Sequence, residues 1–115
     1  MAITALYENA ASISTTEYSL TNNSTVLTAI TTDGVYQLFL DLSALIAGDQ
    51  YELKVYEKVQ AAGTQRIMEV WVFDGVQGSP HWVSPSLSLI HGWEYSLKQL
   101  TGTARTIAWS IRQVA

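Results

Sequence analysis

The chain has 115 residues and a mass of 12.7 kDa, which allows one domain with a single core. Charged residues account for only 14% of the sequence, which argues against a helical bundle, whose exposed faces carry many Glu and Lys. The net charge is −4 and the six Lys and Arg residues are scattered, so nucleic acid is not an expected partner.

The remaining composition favours β-structure. Twelve Thr and eleven Ser make up a fifth of the chain, and six Tyr and four Trp accompany them. Cysteine is absent, which excludes disulfide scaffolds, thiol nucleophiles and zinc–thiolate sites. The N-terminus lacks the pattern of a signal peptide, and no apolar run approaches the roughly 18 residues of a membrane span, so no membrane partner is expected.

The N-terminal third is predicted to be mostly extended. Residues 1–11 predict an N-terminal arm or a short edge strand, and residues 13–20 are also predicted to be extended. β-Branched residues predict a strand over 25–31. The Asp33-Gly34 pair that follows is typical of a tight hairpin turn between this strand and the next.

Two alternating segments follow in the middle of the chain. Residues 35–42 place apolar side chains on one face with period two, which predicts a strand with one buried face. A single helical turn is predicted over 43–47. Residues 50–55 then alternate between polar and apolar positions, and they predict a second half-buried strand.

The segment from Arg66 to Phe73 is apolar on both faces, and a strand of this kind lies centrally in a sheet or contacts a partner. Residues 82–90 predict a strand that is broken at Pro85, because proline cannot donate to a strand ladder. Two further alternating strands are predicted over 93–98 and 107–112.

These segments give about eight strands separated by short turns, which is the pattern of an antiparallel sandwich or barrel. We therefore predict an all-β fold, specifically an antiparallel, jelly-roll-like β-sandwich of about eight strands. Residues 12–115 are expected to form its single domain, preceded by the N-terminal arm.

The polar residues show no pattern of a catalytic or metal site. His81 and His91 lack the spacing of paired metal ligands, and no serine has the context of a nucleophile or a phosphate loop. No catalytic residue, metal ligand or cofactor is therefore expected. Glu69 interrupts an apolar segment, and a structural ion pair on a neighbouring strand or another subunit is favoured over a role as a catalytic acid.

The aromatic and aliphatic side chains supply the candidate binding surface. Trp93 and Trp109 lie on clean alternations and are predicted to be core residues, whereas Trp82, near two prolines, is predicted to be exposed. Trp and Tyr are enriched at subunit interfaces as well as in cores. The candidate interface consists of Met68, Val70, Trp71, Val72, Phe73 and Trp82.

Five sequence segments between about residue 40 and the C-terminus are distinctive: LKVYEKV (53–59), GTQR (63–66), HGWEYSLKQ (91–99), TGTAR (101–105) and WSIR (109–112). They resemble segments of a group of small virion structural proteins of tailed bacteriophages, encoded among the head genes. The resemblance implies a head decoration (cement) protein or a minor capsid protein on the capsid surface, commonly trimeric, with the major capsid protein as its partner. It carries over no catalytic residue.

The leading hypothesis is therefore a non-enzymatic virion structural protein that decorates or cements a tailed-phage capsid as a homo-oligomer, with a trimer expected. A tail or fibre component is an alternative within the same class. A carbohydrate-binding module is a second hypothesis, with Trp82 and either Tyr51 or Trp71 as its sugar platform. A hydrolase that uses Glu69 and Asp74 is the third and the least favoured.

Overall fold

The computed structural model describes residues 2–114, which form nine strands and no helix. Met1 of the expected arm and Ala115 of the expected domain lie outside the described residues. The strands are β1 (Ile3–Ile13), β2 (Tyr18–Ser19), β3 (Gly34–Asp41), β4 (Gln50–Glu57), β5 (Arg66–Asp74), β6 (His81–Val83), β7 (Leu87–Leu89), β8 (Glu94–Thr101) and β9 (Arg105–Val114).

The nine strands form two antiparallel sheets that pack face to face. The first sheet has the order β1-β9-β3, and both β6 and β7 pair with the free side of β3. The second sheet has the order β2-β8-β4-β5. Because β6 and β7 pair with opposite ends of β3, they fill one strand position, and each sheet has four positions. The predicted antiparallel, jelly-roll-like sandwich is confirmed.

The break between β6 and β7 lies at Pro85, as predicted. Ser84, just before the proline, bridges this gap. Its hydroxyl accepts a hydrogen bond from the N–H of Leu38 at 2.9 Å, and its own N–H donates to the Leu38 carbonyl at 2.9 Å. Strand β3 therefore keeps its hydrogen-bond partners where the neighbouring strand is interrupted.

The core lies between the sheets and consists of alternate residues of their strands. Trp93 and Trp109 are both buried, which confirms their prediction as core residues. Trp93 lies nearest to Tyr36, with the ring centroids 4.3 Å apart, and its indole N–H donates to the Thr32 carbonyl at 3.0 Å. A buried aromatic ring with its polar atom satisfied is a strong anchor for a small core.

The N-terminal third differs from expectation in two places. Strand β1 is eleven residues long and pairs with β9 from end to end, so residues 3–11 belong to a long edge strand. The predicted strand over 25–31 is absent, and only Ile30 forms an isolated bridge, with Trp93. The predicted hairpin turn at Asp33-Gly34 is therefore wrong as well, because a loop leads directly into β3.

A buried carboxylate holds the loop that replaces the predicted strand. Glu94 is buried and accepts hydrogen bonds from the Asn22 side-chain amide at 2.7 Å, the Tyr95 N–H at 2.9 Å and the Thr21 hydroxyl. Burial raises the pKa of Glu94 above its ordinary value, and the hydrogen bonds oppose that shift. The Glu94 hydrogen bonds thus fix the start of the loop at Thr21 and Asn22, and the isolated bridge between Ile30 and Trp93 fixes its end.

Asp49 fixes one end of the sandwich, where two successive turns stand in place of the helical turn predicted over 43–47. One oxygen of its buried carboxylate accepts the Thr103 N–H at 3.0 Å, and the other accepts the Ile46 N–H at 3.0 Å and Nε of Arg105 at 2.8 Å. The Arg105 hydrogen bond, together with the two backbone donors, lowers the pKa of Asp49 to about 2.

We expect Asp49→Asn to reduce the loss of stability in acid. The folded-state pKa lies below the unfolded value of 3.8, so the ionised group contributes stability above pH 3.8 that disappears as the pH falls towards 2. The wild type should lose stability across this window in urea titrations, and the variant should be less stable at neutral pH with a flatter profile. The control is Asp33→Asn, which removes an exposed carboxylate. An Asp49→Asn profile parallel to the wild type would contradict this assignment.

Candidate functional site

Strand β5 lies at an edge of the second sheet and pairs on one side only, with β4. The predicted central position is therefore wrong. The strand is apolar on both faces because the two faces have different environments: Trp71 and Phe73 pair with core residues of β4, whereas Val70 and Val72 are exposed. The alternative interpretation of such a strand, contact with a partner, stays a prediction.

Four aliphatic side chains of β5 remain exposed to solvent, and we call them the β5 surface. They are Ile67 at 50% exposure, Met68 at 41%, Val70 at 44% and Val72 at 50%. A sheet edge with unpaired backbone groups and apolar side chains is a template for pairing with another chain. The β5 surface is therefore the candidate interaction site of this protein.

A β-bulge divides β5 into two parts. Val55 of β4 is opposite Glu69 and Tyr56 is opposite Ile67, which leaves Met68 without an opposite residue. From Glu69 to Asp74 the pairing is regular. A bulge increases the local twist of a strand, so the segment from Glu69 to Asp74 is the straighter template for a partner.

Three aromatic rings close the core beneath β5. Trp82 makes edge-to-face contacts with Trp71 and Phe73, with ring centroids 5.1 Å apart in both pairs. Trp82 is half-buried, and its predicted exposure is wrong because it lies opposite Leu40 on the buried face of the first sheet.

The structure therefore separates the six candidate interface residues into three environments. Phe73 belongs to the core, and Trp71 and Trp82 are half-buried against it. The exposed members are Met68, Val70 and Val72. Ile67 is exposed as well: it was not among the six candidate interface residues, although it belongs to the apolar segment that was predicted to lie centrally or contact a partner.

Three charged side chains of β5 also face solvent. They are Arg66, Glu69 and Asp74, and none of them forms an ion pair within residues 2–114. The ion pair predicted for Glu69 on a neighbouring strand is thus not found in the described part of the chain. Its other predicted location, across a contact between subunits, stays a prediction.

The sugar platform predicted from Trp82 and Tyr51 is not formed. Tyr51 is fully buried and its hydroxyl donates to the Thr103 carbonyl at 2.8 Å, so it presents no ring face to a ligand. Trp71, the alternative partner of Trp82, contacts that ring edge-to-face. Sugar stacking requires an exposed ring face, which the buried Tyr51 does not offer, and Trp71 and Trp82 are both half-buried.

The two carboxylates of the hydrolase hypothesis lie on one strand. Glu69 and Asp74 are five residues apart on β5, which corresponds to about 16 Å along an extended chain. Glycosidase carboxylates act as pairs at separations of roughly 5–10 Å. Glu69 and Asp74 are therefore too far apart to act as such a pair.

A shallow depression of about 240 Å³ lies on the outer face of the first sheet. The Arg112 guanidinium lies over the Phe39 ring in this depression, 3.8 Å from the ring centroid. His81 and Asp41 also line it, with 3.8 Å between Nε2 of His81 and Oδ2 of Asp41. The Phe39 ring in this depression is thus already stacked by a side chain of the same protein.

Among residues 2–114, no group of three or more His, Cys, Asp or Glu side chains is placed to hold a metal ion. The described part of the chain also forms no helix of the length and apolarity needed to cross a membrane. No known protein-family model matches this chain, and no curated protein shows significant similarity to it. The resemblance to phage virion proteins therefore stays a prediction.

Proposed function

We propose that this chain is a non-enzymatic structural protein that associates with copies of itself through β5 and decorates the capsid of a tailed bacteriophage. The observation that carries the self-association is the nine-residue edge strand β5, which exposes four apolar side chains and leaves its backbone unpaired on one side. The capsid location comes from the resemblance of the C-terminal two thirds to phage head proteins.

The β5 edge differs from the edge on the other side of its sheet. There β2 has only two residues, and short edge strands limit unwanted pairing. Strand β5 is long and contains neither Lys nor Pro, and beyond the bulge at Met68 and the charge of Glu69 it offers an uninterrupted apolar edge from Val70 to Phe73. Burying its aliphatic side chains against a second chain would contribute about 25 cal/mol for each Å² removed from water.

A capsid decoration protein needs a rigid body and contacts that repeat by symmetry. The two packed sheets supply the rigid body, and each self-contact is repeated in a closed oligomer, so modest surfaces add up to stable binding. The resemblance implies a trimer bound to the major capsid protein. A net charge of −4 would help the decorated particle stay soluble.

Val70→Lys is expected to weaken self-association at least about tenfold, because it places a strongly hydrated charge in the contact. Val59→Lys is the matched control, since Val59 lies outside the strands and is 96% exposed. The measurement is the solution mass over a concentration series by analytical ultracentrifugation. A wild type that stays monomeric at high concentration would contradict the proposal, as would equal effects of the two substitutions.

The capsid assignment has a separate test. Expanded capsids that lack this protein are mixed with it, pelleted and assayed for bound protein, with isolated tails as a parallel sample. The proposal expects saturable binding to capsids. Binding to tails alone would favour the tail-component alternative, and binding to neither would overturn the virion assignment.

A further inference from the structure

We propose that the depression on the outer face of the first sheet binds a small hydroxylated carboxylate of the size of a hexuronate. The carboxylate of this ligand pairs with Arg112, and one of its hydroxyl groups lies between Asp41 and His81. The depression belongs to the first sheet and β5 to the second, so this inference goes beyond the proposed self-association and does not depend on it.

The depression arises from small side chains in the middle of this outer face. Leu40 and Trp109 are buried in the core, so the residues that alternate with them point outward. Ala108 lies between Asp41 of β3 and Ala10 of β1, and its short side chain leaves a depression of about 240 Å³. Drug-sized ligands fill pockets of roughly 300–1,000 Å³, so this smaller space suits a ligand of one ring.

The guanidinium of Arg112 is held in place while part of it stays available to a ligand. It lies over the Phe39 ring, and its Nε donates a hydrogen bond to the Ser110 hydroxyl at 3.2 Å. That hydroxyl in turn donates to Oε2 of Glu8 at 2.8 Å. Within residues 2–114, neither Nη atom forms a hydrogen bond or an ion pair. A planar guanidinium with a fixed orientation and two free Nη groups is suited to binding a carboxylate.

Asp41 and His81 supply the second part of the site. Asp41 is two residues from Phe39 on β3, or about 6.6 Å along the strand. Nε2 of His81 is 3.8 Å from Oδ2 of Asp41, which is too far for a direct hydrogen bond. A ligand hydroxyl between these atoms can donate to Oδ2 and accept from a protonated Nε2. Hydrogen bonds from the hydroxyl and the N–H of Ser43 lower the pKa of Asp41, so its carboxylate is an acceptor at neutral pH.

The charges of these two parts select the class of ligand. Arg112 attracts one negative charge and the nearby Asp41 repels a second, which favours a monocarboxylate over a phosphate dianion. Asp41 also needs a hydrogen-bond donor, which a hydroxyl supplies and a simple carboxylate such as acetate lacks. A hexuronate carries its carboxylate several bonds away from its ring hydroxyls, so it reaches both parts at once. An α-amino acid carries its ammonium beside its carboxylate and cannot span them.

Heteronuclear NMR titration with sodium glucuronate tests this site, with glucose, acetate and inorganic phosphate as comparison ligands. We expect saturable shifts of the Arg112 Nε–H and of the Ala108 and Ser110 amides, with glucuronate binding at least about tenfold more tightly than the others. Arg112→Gln should weaken glucuronate binding about tenfold or more, and Asp41→Ala should weaken it severalfold without weakening acetate binding. Lys98→Gln removes a positive charge from the other sheet and is the control.

Each outcome either supports or overturns the site. Glucuronate shifts that are confined to the depression and weakened by Arg112→Gln, but not by Lys98→Gln, support it. Phosphate binding as tight as glucuronate overturns the ligand class, and the absence of saturable shifts overturns the site itself. Circular dichroism verifies folding, and Arg112→Lys, which keeps the charge without the planar guanidinium, should also weaken binding severalfold. None of these readouts depends on the solution mass, so a failure of this site is distinguishable from a failure of self-association.

Discussion

Gly102→Ala is expected to destabilise the fold by about 3–5 kcal/mol, a large part of the stability of a domain of this size. Gly102 has a φ of +91°, a conformation that residues with a Cβ rarely adopt. An added Cβ would also lie 2.6 Å from Cα of Asp49 and 2.8 Å from the Gly48 carbonyl oxygen. Both are backbone atoms, so neither can move aside without disturbing the Asp49 corner.

Alanine substitutions at two other glycines separate the cost of the positive φ from the cost of the close contacts in Gly102→Ala. Gly48→Ala meets a similar φ of +94° but has open space around the new Cβ, so it reports the conformational cost alone, about 1–2 kcal/mol. Gly78→Ala has open space and no positive φ, and it should be close to neutral. Urea unfolding of the three variants measures the differences. Equal losses for Gly102→Ala and Gly48→Ala would show that the close approach costs nothing.

Trp93→Ala is expected to cost about 3–5 kcal/mol, as large-to-small substitutions in a packed core usually do. The indole is fully buried and contacts three tyrosine rings, with centroid distances of 4.3 Å to Tyr36, 5.9 Å to Tyr95 and 6.1 Å to Tyr7. These tyrosines come from both sheets, so the cavity would loosen the contact between the two layers. Thermal or urea unfolding, followed by circular dichroism, measures the loss.

Trp93→Phe serves as the comparison for this prediction. It keeps an aromatic ring in the core but removes the hydrogen bond to the Thr32 carbonyl, so the loss should be about 1–3 kcal/mol. An alanine variant no less stable than the phenylalanine variant would show that the packing of the ring contributes little.

The buried half of the fold could be predicted from the sequence because it depends on local alternation. Residues 35–42 and 50–55 show period two, and their apolar positions are the ones that the structure buries. Trp93 and Trp109 follow the same rule. When a strand packs one face on a core, its own alternation of apolar and polar residues predicts which side chains are buried, whatever the neighbouring strands are.

The segment 25–31 shows where local propensity fails. Its β-branched residues favour extended backbone, but a strand also needs a neighbour to accept its hydrogen bonds and a layer to cover one face. Val26 is 66% exposed, and only Ile30 meets another strand. The Glu94 hydrogen bonds that hold this loop link residues about 70 positions apart in sequence, and no local pattern reveals them.

The candidate site was only partly predictable for a related reason. The segment from Arg66 to Phe73 was correctly identified as apolar on both faces, but its place at a sheet edge depends on strand order, which is set by pairing between distant residues. The position of Trp82 depends in the same way on the pairing of β6 with β3. Sequence patterns predicted most of the residues of this surface, and only the fold showed which of their side chains are exposed to solvent.

The pairing of the first and last strands affects how this chain reaches its folded state during synthesis. Ile3 lies opposite Val114, so β1 cannot complete its pairing until the chain has been synthesised as far as β9 and that strand has left the ribosome. Such long-range contacts require closure of a loop of about 100 residues, and proteins rich in them fold slowly, in milliseconds to seconds. The nascent chain must therefore keep its first strand unpaired until β9 emerges, and removal of β9 should prevent folding.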